Sequence, residues 1–220
     1  MPDPIPHTDF AQTLRSRIES ALAQRDRQTA VETALSAVHE GSISIPALYV
    51  EVLGPLLAGI GSAWSHGTER VWEEHYSSHT VRTIVESLYL DVQREAAKVD
   101  RRGQSVLLAC PPREQHELGL RMLADRFELG GYDVTFLGAD TPLDEITAAA
   151  KDTGASLVAL SISTLYERVN LRLFVDTLRT QLPGVRIVVG GPAFSRDQNW
   201  PVEDFLDTHE LGLPGSESAR

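Results

Sequence analysis

From residue 104 onward the chain alternates between short apolar runs and helical patterns, and this alternation limits the fold more than any other feature. Residues 106–109, 134–137, 157–162 and 187–189 are runs rich in Val, Ile and Leu. Helical spacing fills the intervals up to Leu129, at 143–151 and at 170–182. Runs of this kind between helices predict a parallel sheet covered on both faces. Such sheets take ligands at the carboxyl edge of the strands, so the loops after each run are where chemistry belongs. Gly190-Gly191-Pro192 ends the fourth run. No convincing fifth strand follows Ala193, and 213–220 reads as a disordered tail.

Four helical patterns precede the sheet region. The first, at 9–23, places Phe10, Leu14, Ile18, Ala21 and Leu22 on one stripe, with Thr8 or Asp9 as cap. The second, at 26–38, repeats this through Ala30, Ala34, Leu35 and Val38, and Gly41 stops it. Ser44 caps a third that runs to Trp64, with a kink predicted at Gly54-Pro55. After Ser65-His66-Gly67, Thr68 caps a long fourth helix over 69–98 whose buried stripe includes Val71, Ile84, Leu88 and Val92. Four helices with short connections predict a bundle over 8–98. A charged linker then leads into a second domain over 104–212.

With 42% apolar and 23% charged residues, the 220-residue chain has ample material for cores. Its net charge of −11 argues against direct nucleic-acid binding, which needs clustered Lys and Arg on phosphates. No apolar stretch reaches membrane-spanning length and the first ten residues lack an export signal, so a cytoplasmic location is expected. The single cysteine, Cys110, excludes a disulfide or thiolate zinc cluster within one chain and reads as strand packing.

Three features fall on one predicted sheet edge. After the first strand comes Glu114-x-His116-x-x-Gly119, in which a carboxylate can take one ring proton and leave the other nitrogen to meet a metal. Gly119 lets backbone pass close to a large ligand. Ser161 and Ser163 end the third strand, and Gly190-Gly191 follows the fourth.

Together these residues resemble the cobalamin-binding domain, a Rossmann-like (flavodoxin-like) fold. The resemblance implies that His116 is the lower cobalt ligand backed by Glu114. It also implies that Ser161 and Ser163 line a tunnel for the nucleotide tail, which Gly190 and Gly191 admit. Ser163 stands where the family often has Leu or Thr, and the family's fifth strand is missing or degenerate. In the bundle, Trp64 followed after nine residues by Glu74-His75 resembles the signature of CarH-type photoreceptors. There the bundle caps the upper face of adenosylcobalamin. The indole offers an apolar lid, and Glu74 can accept hydrogen bonds from ribose hydroxyls.

The resemblance implies an adenosylcobalamin light sensor rather than an enzyme. The winged-helix segment of CarH-type repressors is not seen ahead of the bundle, so the signal is expected to pass to a separate regulatory or effector protein; a homo-oligomer is compatible with this. The alternative from the enzyme class is a corrinoid carrier subunit of a methyltransferase system. Such carriers usually have Asp before the histidine and lack the tryptophan signature, so Glu114 and Trp64 favour the sensor. A third reading is a cobalamin-binding adaptor or store. CarH-type receptors carry a histidine directly after the tryptophan, able to take the upper cobalt position after light; here Ser65 stands there, a far weaker ligand. Water is therefore expected above cobalt after light, with His66 as the alternative ligand.

Overall fold

The computed structural model describes residues 7–65, 70–163, 165–194 and 205–215, and the chain divides into two compact units, within Met1–Val92 and Gln93–Ser216. The first is helical: α1 (His7–Ala23), α2 (Arg27–His39), α3 (Ile45–Ala47), α4 (Gly54–Ser65), α5 (Val71–Ser87) and the start of α6 (Tyr89–Ala96). Leu14, Ile18 and Ala21 of α1 are buried with Ala30, Ala34 and Ala37 of α2, small side chains that let helices pack closely. Asp26 caps α2 by accepting from Thr29 Oγ1 (2.6 Å) and Thr29 N–H (3.0 Å), and both bonds hold its carboxyl below the usual range.

Around Gly54-Pro55 the chain widens rather than simply kinking. Leu48–Leu53 forms a π-helical segment between α3 and α4, and the Gly54 N–H donates to Tyr49 O. Pro55 has no N–H to donate, and one wider turn carries the helix past the missing bond. A Cβ on Gly54 would lie only 3.1 Å from Tyr49 O.

The predicted helix over 69–98 is in fact two. α5 ends at Ser87, Leu88 turns with φ −85° and ψ −3°, and α6 follows. Thr80, Thr83 and Ser87 each donate a hydroxyl to the carbonyl four residues earlier, at 2.8, 3.0 and 2.7 Å. Such back-bonding weakens and bends a helix, and it is concentrated just before the break. The predicted cap Thr68 lies outside the described residues; Arg70 stands before α5, and its N–H donates to Glu73 Oε2 at 3.0 Å.

The second unit is a four-stranded parallel sheet in the order β2-β1-β3-β4. Its strands are β1 (Ser105–Ala109), β2 (Asp133–Gly138), β3 (Leu157–Ser161) and β4 (Arg186–Gly190), joined through α7 (Leu118–Leu129), α8 (Leu143–Asp152) and α9 (Leu165–Gln181). Alternate residues feed two cores. Leu107, Ala109, Val158, Leu160, Ile187 and Val189 pack with Ile146 of α8 and Val175 and Leu178 of α9. Val106, Leu108, Ala159 and Val188 pack with Leu120, Ala124 and Phe127 of α7. Period-two alternation between two filled faces explains why the strands read as continuous apolar runs.

The tail corrects one expectation. Leu213 is 3% exposed and belongs to the α7-side core, with Leu206 and Leu211 packed against it. Tyr132 Oη donates to Leu211 O (3.1 Å) and Arg126 Nε donates to Pro214 O (2.8 Å). Among the described residues an isolated parallel bridge, Val189 to Phe205, stands where a fifth strand would begin. Residues 205–215 are therefore built into the unit, although their apolar residues, Phe205, Leu206, Leu211 and Leu213, follow neither a strand nor a helix period that would show it in sequence. Leu213→Ala is expected to cost about 2–4 kcal/mol in denaturant unfolding, the usual range for a buried leucine; an unstructured tail would give no change.

Among the described residues no helix is long and apolar enough to cross a membrane.

Candidate functional site

β1 and β2 run in register until their carboxyl ends, where Leu108 faces Phe136 but Ala109 faces Gly138. The extra residue, Leu137, bends the end of β2, a common device beside ligand sites. From there Cys110 N–H donates to Gly138 O (2.8 Å) and Thr141 N–H to Cys110 O (2.9 Å), so the loops after β1 and β2 leave the sheet side by side.

Within the first loop Glu114 N–H bonds back to Pro111 O (3.1 Å), and Arg113 takes φ +72°. A non-glycine residue in that region costs about 1 kcal/mol or more, so the loop shape is imposed by its surroundings. The turn delivers the Glu114 side chain inward, where it is 1% exposed, and leaves the His116 side chain 65% exposed.

Glu114 is the hub. Oε1 accepts from His116 N–H (2.8 Å) and from His116 Nδ1 (2.6 Å), while Oε2 accepts from Ser163 N–H (2.6 Å) at the end of β3. Burial alone would push its carboxyl up, but these donors outweigh it and hold the group below the usual range. An ionised carboxylate accepts only, so it fixes the proton on Nδ1 and makes Nε2 the lone-pair nitrogen of the neutral ring. That is the arrangement by which protein histidines meet transition metals.

The other edge residues sort into two kinds. Gly191 has φ +102°, and a Cβ there would lie 2.3 Å from Ile162 O and 2.9 Å from Ser161 Oγ. It is glycine because the chain itself requires it. Gly119 and Gly190 are different: a Cβ at either would meet nothing within 4 Å. They leave open space over backbone, as a large ligand lying against the sheet edge requires. Ser161, paired with Gly190, is 9% exposed. Glu114, His116, Ser161, Ser163, Gly190 and Gly191 thus share one edge, and these residues fit a corrinoid approached from below by an imidazole.

Cys110 is fully buried, and its thiol is pushed up to about 12, first by burial and then by the Glu114 and Glu117 carboxylates. It is packing, as its strand-end position suggested, and not a nucleophile.

In the helical unit, Glu74 and His75 lie in the opening turns of α5 with His75 Nε2 3.5 Å from Glu74 Oε2. His79 follows one turn later, its ring centroid 6.4 Å from that of His75. The Tyr76 hydroxyl is buried with no hydrogen-bond partner among the described residues, a feature that the sequence did not announce. The backbone of Trp64 is in α4, while its side chain and all of His66 lie outside the described residues.

Sequence reasoning missed two side chains that hold the His116 loop. Glu117 Oε2 accepts from Ala139 N–H (2.8 Å), and Asp140 Oδ1 accepts from Arg113 N–H (2.7 Å). Asp140 in turn has φ +52°, tolerable for aspartate, and with Gly138 at φ +80° it is a local signal of an unusual turn.

Residues 104–208 match the family described as B12 binding domain, and residues 14–89 match a second family of that description. The chain is 36% identical over 144 residues to the HTH-type transcriptional repressor CarH of Myxococcus xanthus, a match covering 65% of this chain and 46% of that protein. It is 33% identical over 122 residues to the HTH-type transcriptional repressor CarA of the same organism, covering 55% and 40%. The chain therefore spans less than half the length of these relatives. The monomethylamine corrinoid protein of Methanosarcina barkeri shares its fold, with a TM-score of 0.75 at 15% identity over 94% of this chain and 98% of that one.

Proposed function

Because the chain belongs to the cobalamin-binding domain family, its helical unit followed by a Rossmann-like sheet, we propose that it is a cytoplasmic light sensor with adenosylcobalamin as chromophore. The observation that carries the cobalt side of this reading is the buried Glu114 clamped onto exposed His116. In it His116 is the lower ligand through Nε2, and Glu114 orients the ring and raises its basicity. Gly119 and Gly190 give room to the corrin edge and nucleotide tail, and Ser161 and Ser163 line the tail's path, with Gly191 shaping its entrance. The helical domain is 8–98 in the sequence and the sheet domain 104–212; in the receptors this chain resembles, the helical domain is the part that meets the upper ligand. Trp64 is the apolar lid, and Glu74 and His75 accept from or donate to the adenosyl ribose.

When bound, adenosylcobalamin supplies a cobalt–carbon bond that light can break. Trp64, Glu74 and His75 would hold the adenosyl group, and a change in what they hold would be passed to a separate regulatory or effector protein. The net charge of −11 favours a protein recipient over nucleic acid. The similarity to CarH supports the sensor reading. The corrinoid carrier has the same fold, but Glu114 in place of the carriers' usual Asp, and the spacing from Trp64 to Glu74-His75, support the sensor instead.

The test is the absorbance of adenosylcobalamin-loaded protein before and after green light. A spectral change completed by light and absent in the dark is expected. A light-stable spectrum, together with equal affinity for adenosyl- and methylcobalamin, would replace the sensor by the carrier. With Ser65 in place of the family's histidine, the illuminated spectra of the parent and His66→Ala are expected to coincide; a bis-imidazole spectrum lost only in the variant would make His66 the upper ligand.

A preference for the adenosyl form is also expected in the dark. Removing the indole in Trp64→Ala forfeits about 1 kcal/mol of stacking and apolar cover, narrowing the preference by roughly fivefold in a binding titration. An unchanged preference would remove Trp64 from the lid.

A further inference from the structure

The loop bearing His116 is held from both ends by side chains that the acid-x-His-x-x-Gly motif does not specify, one at an x position and one in the next loop. On its carboxyl side, Glu117 reaches across to the turn after β2, where its Oε2 accepts from Ala139 N–H at 2.8 Å. A Cβ on Gly138, which has φ +80°, would lie 2.4 Å from that same oxygen, so glycine leaves room there for the Glu117 carboxylate. On its amino side, Asp140 Oδ1 accepts from Arg113 N–H at 2.7 Å, and Asp140 N–H donates to Glu114 O at 3.0 Å. Both Arg113 and Asp140 are left-handed, at φ +72° and +52°. Two residues far apart in sequence are thus held in an uncommon backbone conformation to make one pair of bonds, with Glu114 and His116 between the two clips.

The consequence concerns direction. Glu114 fixes which way the His116 ring turns relative to Glu114, but not where the pair points relative to the sheet edge. That is set by the placement of the loop backbone, and the loop backbone is pinned to the β2 turn by Glu117 and Asp140. A ligand nitrogen must lie within a few tenths of an ångström of its place for a metal bond near 2 Å. We infer that Glu117 and Asp140 are positioning residues that aim His116 at the cobalt. This rests on the reading that His116 is the lower ligand.

The readout is the electron paramagnetic resonance of cob(II)alamin bound at saturation to the full chain labelled with nitrogen-15 histidine. A histidine nitrogen then splits the cobalt lines into doublets, whereas the cofactor's own unlabelled benzimidazole would give triplets. Glu117→Ala is expected to convert most of the doublet signal to one without histidine splitting and to weaken binding about tenfold. Glu117→Gln, which keeps an oxygen for Ala139 N–H, should restore the doublets. Asp140→Gly, which accepts the left-handed backbone at no strain but lacks the acceptor for Arg113, should behave like Glu117→Ala and decides the matter if Glu117→Ala does not fold. A full doublet signal in the variants, with only a lowered Tm, would reduce both residues to a structural role and overturn the inference. Absence of doublets in the unsubstituted protein would instead overturn the assignment of His116 itself.

Discussion

Glu114→Ala is expected to weaken corrinoid binding 10- to 100-fold, as loss of the group behind a metal-bound histidine commonly does, and to destabilise the ligand-free protein as well. The second effect follows from burial. Glu114 accepts three N–H bonds while 1% exposed, and its removal leaves the His116 and Ser163 N–H groups without their acceptor. Hydrogen bonds to a charged group are worth about 1.5–3 kcal/mol each in mutational series, and they are not additive, so a loss of about 3 kcal/mol is expected in denaturant unfolding. Its pH dependence has a definite sign. The folded-state carboxyl lies below its ordinary value of 4.5, so the stabilisation is fully present above that value and fades as pH falls through the lower folded value. The gap between the parent and Glu114→Ala should therefore be constant from pH 8 to about pH 5 and close in more acid solution. Parent-like affinity in the variant would show that nothing needs to stand behind His116.

The glycines give the second large effect and separate fold from function. Gly191→Ala should cost at least about 3 kcal/mol or prevent folding, because the residue needs φ +102° and its methyl would strike backbone at Ile162. Gly190→Ala and Gly119→Ala should fold normally, since their methyls meet nothing within 4 Å. Gly119 lies in the first turn of α7, where alanine is the better helix former by up to about 1 kcal/mol. Gly119→Ala is thus expected to be as stable as the parent or more so, yet to bind corrinoid at least about tenfold more weakly, because the methyl occupies ligand space. Unfolding curves and binding titrations on the three variants measure both. Undiminished binding by Gly119→Ala and Gly190→Ala would mean that the open space is solvent and not part of the site.

The sheet was legible because its strands are buried on both faces. Val106 to Ala109 and Leu157 to Ser161 could only be continuous apolar runs if each alternate side chain had its own core, and the two cores beside α7 and beside α8 and α9 are that arrangement. Most of the helical stripes were legible too, since Ile84, Leu88 and Val92 are fully buried, but Val71, read as part of that stripe, is 55% exposed: it opens α5, ahead of the turns that pack. What stayed hidden depends on bonds between residues that no period relates. The break at Leu88 comes after hydroxyls of Thr80, Thr83 and Ser87 that bond back to carbonyls, where only the apolar stripe was visible. The π-helical widening before Pro55 depends on a bond from Gly54 to Tyr49. Leu213 looked like part of a disordered tail because the bonds that anchor its neighbours, Tyr132 to Leu211 O and Arg126 to Pro214 O, span 79 and 88 residues.

In the site, the link from Glu114 to His116 could be read from a two-residue spacing, and the structure brings Ser163 to the same carboxylate through its backbone N–H rather than its hydroxyl. Glu117 and Asp140 could not be read, since their partners lie 22 and 27 residues away across the edge of the sheet. Glycine was the most ambiguous letter. Gly190 and Gly191 look alike as a pair, and only the left-handed backbone of Gly191 shows that one serves the fold while the other leaves room.

The central claim is that His116 binds cobalt from below, and the most direct measurement is the paramagnetic resonance spectrum of cob(II)alamin on protein whose histidines carry nitrogen-15. Doublet splitting of the cobalt lines in the parent, lost in His116→Ala, is the expected result. Triplet splitting in the labelled parent would show that the cofactor keeps its own base as lower ligand, and would contradict the account.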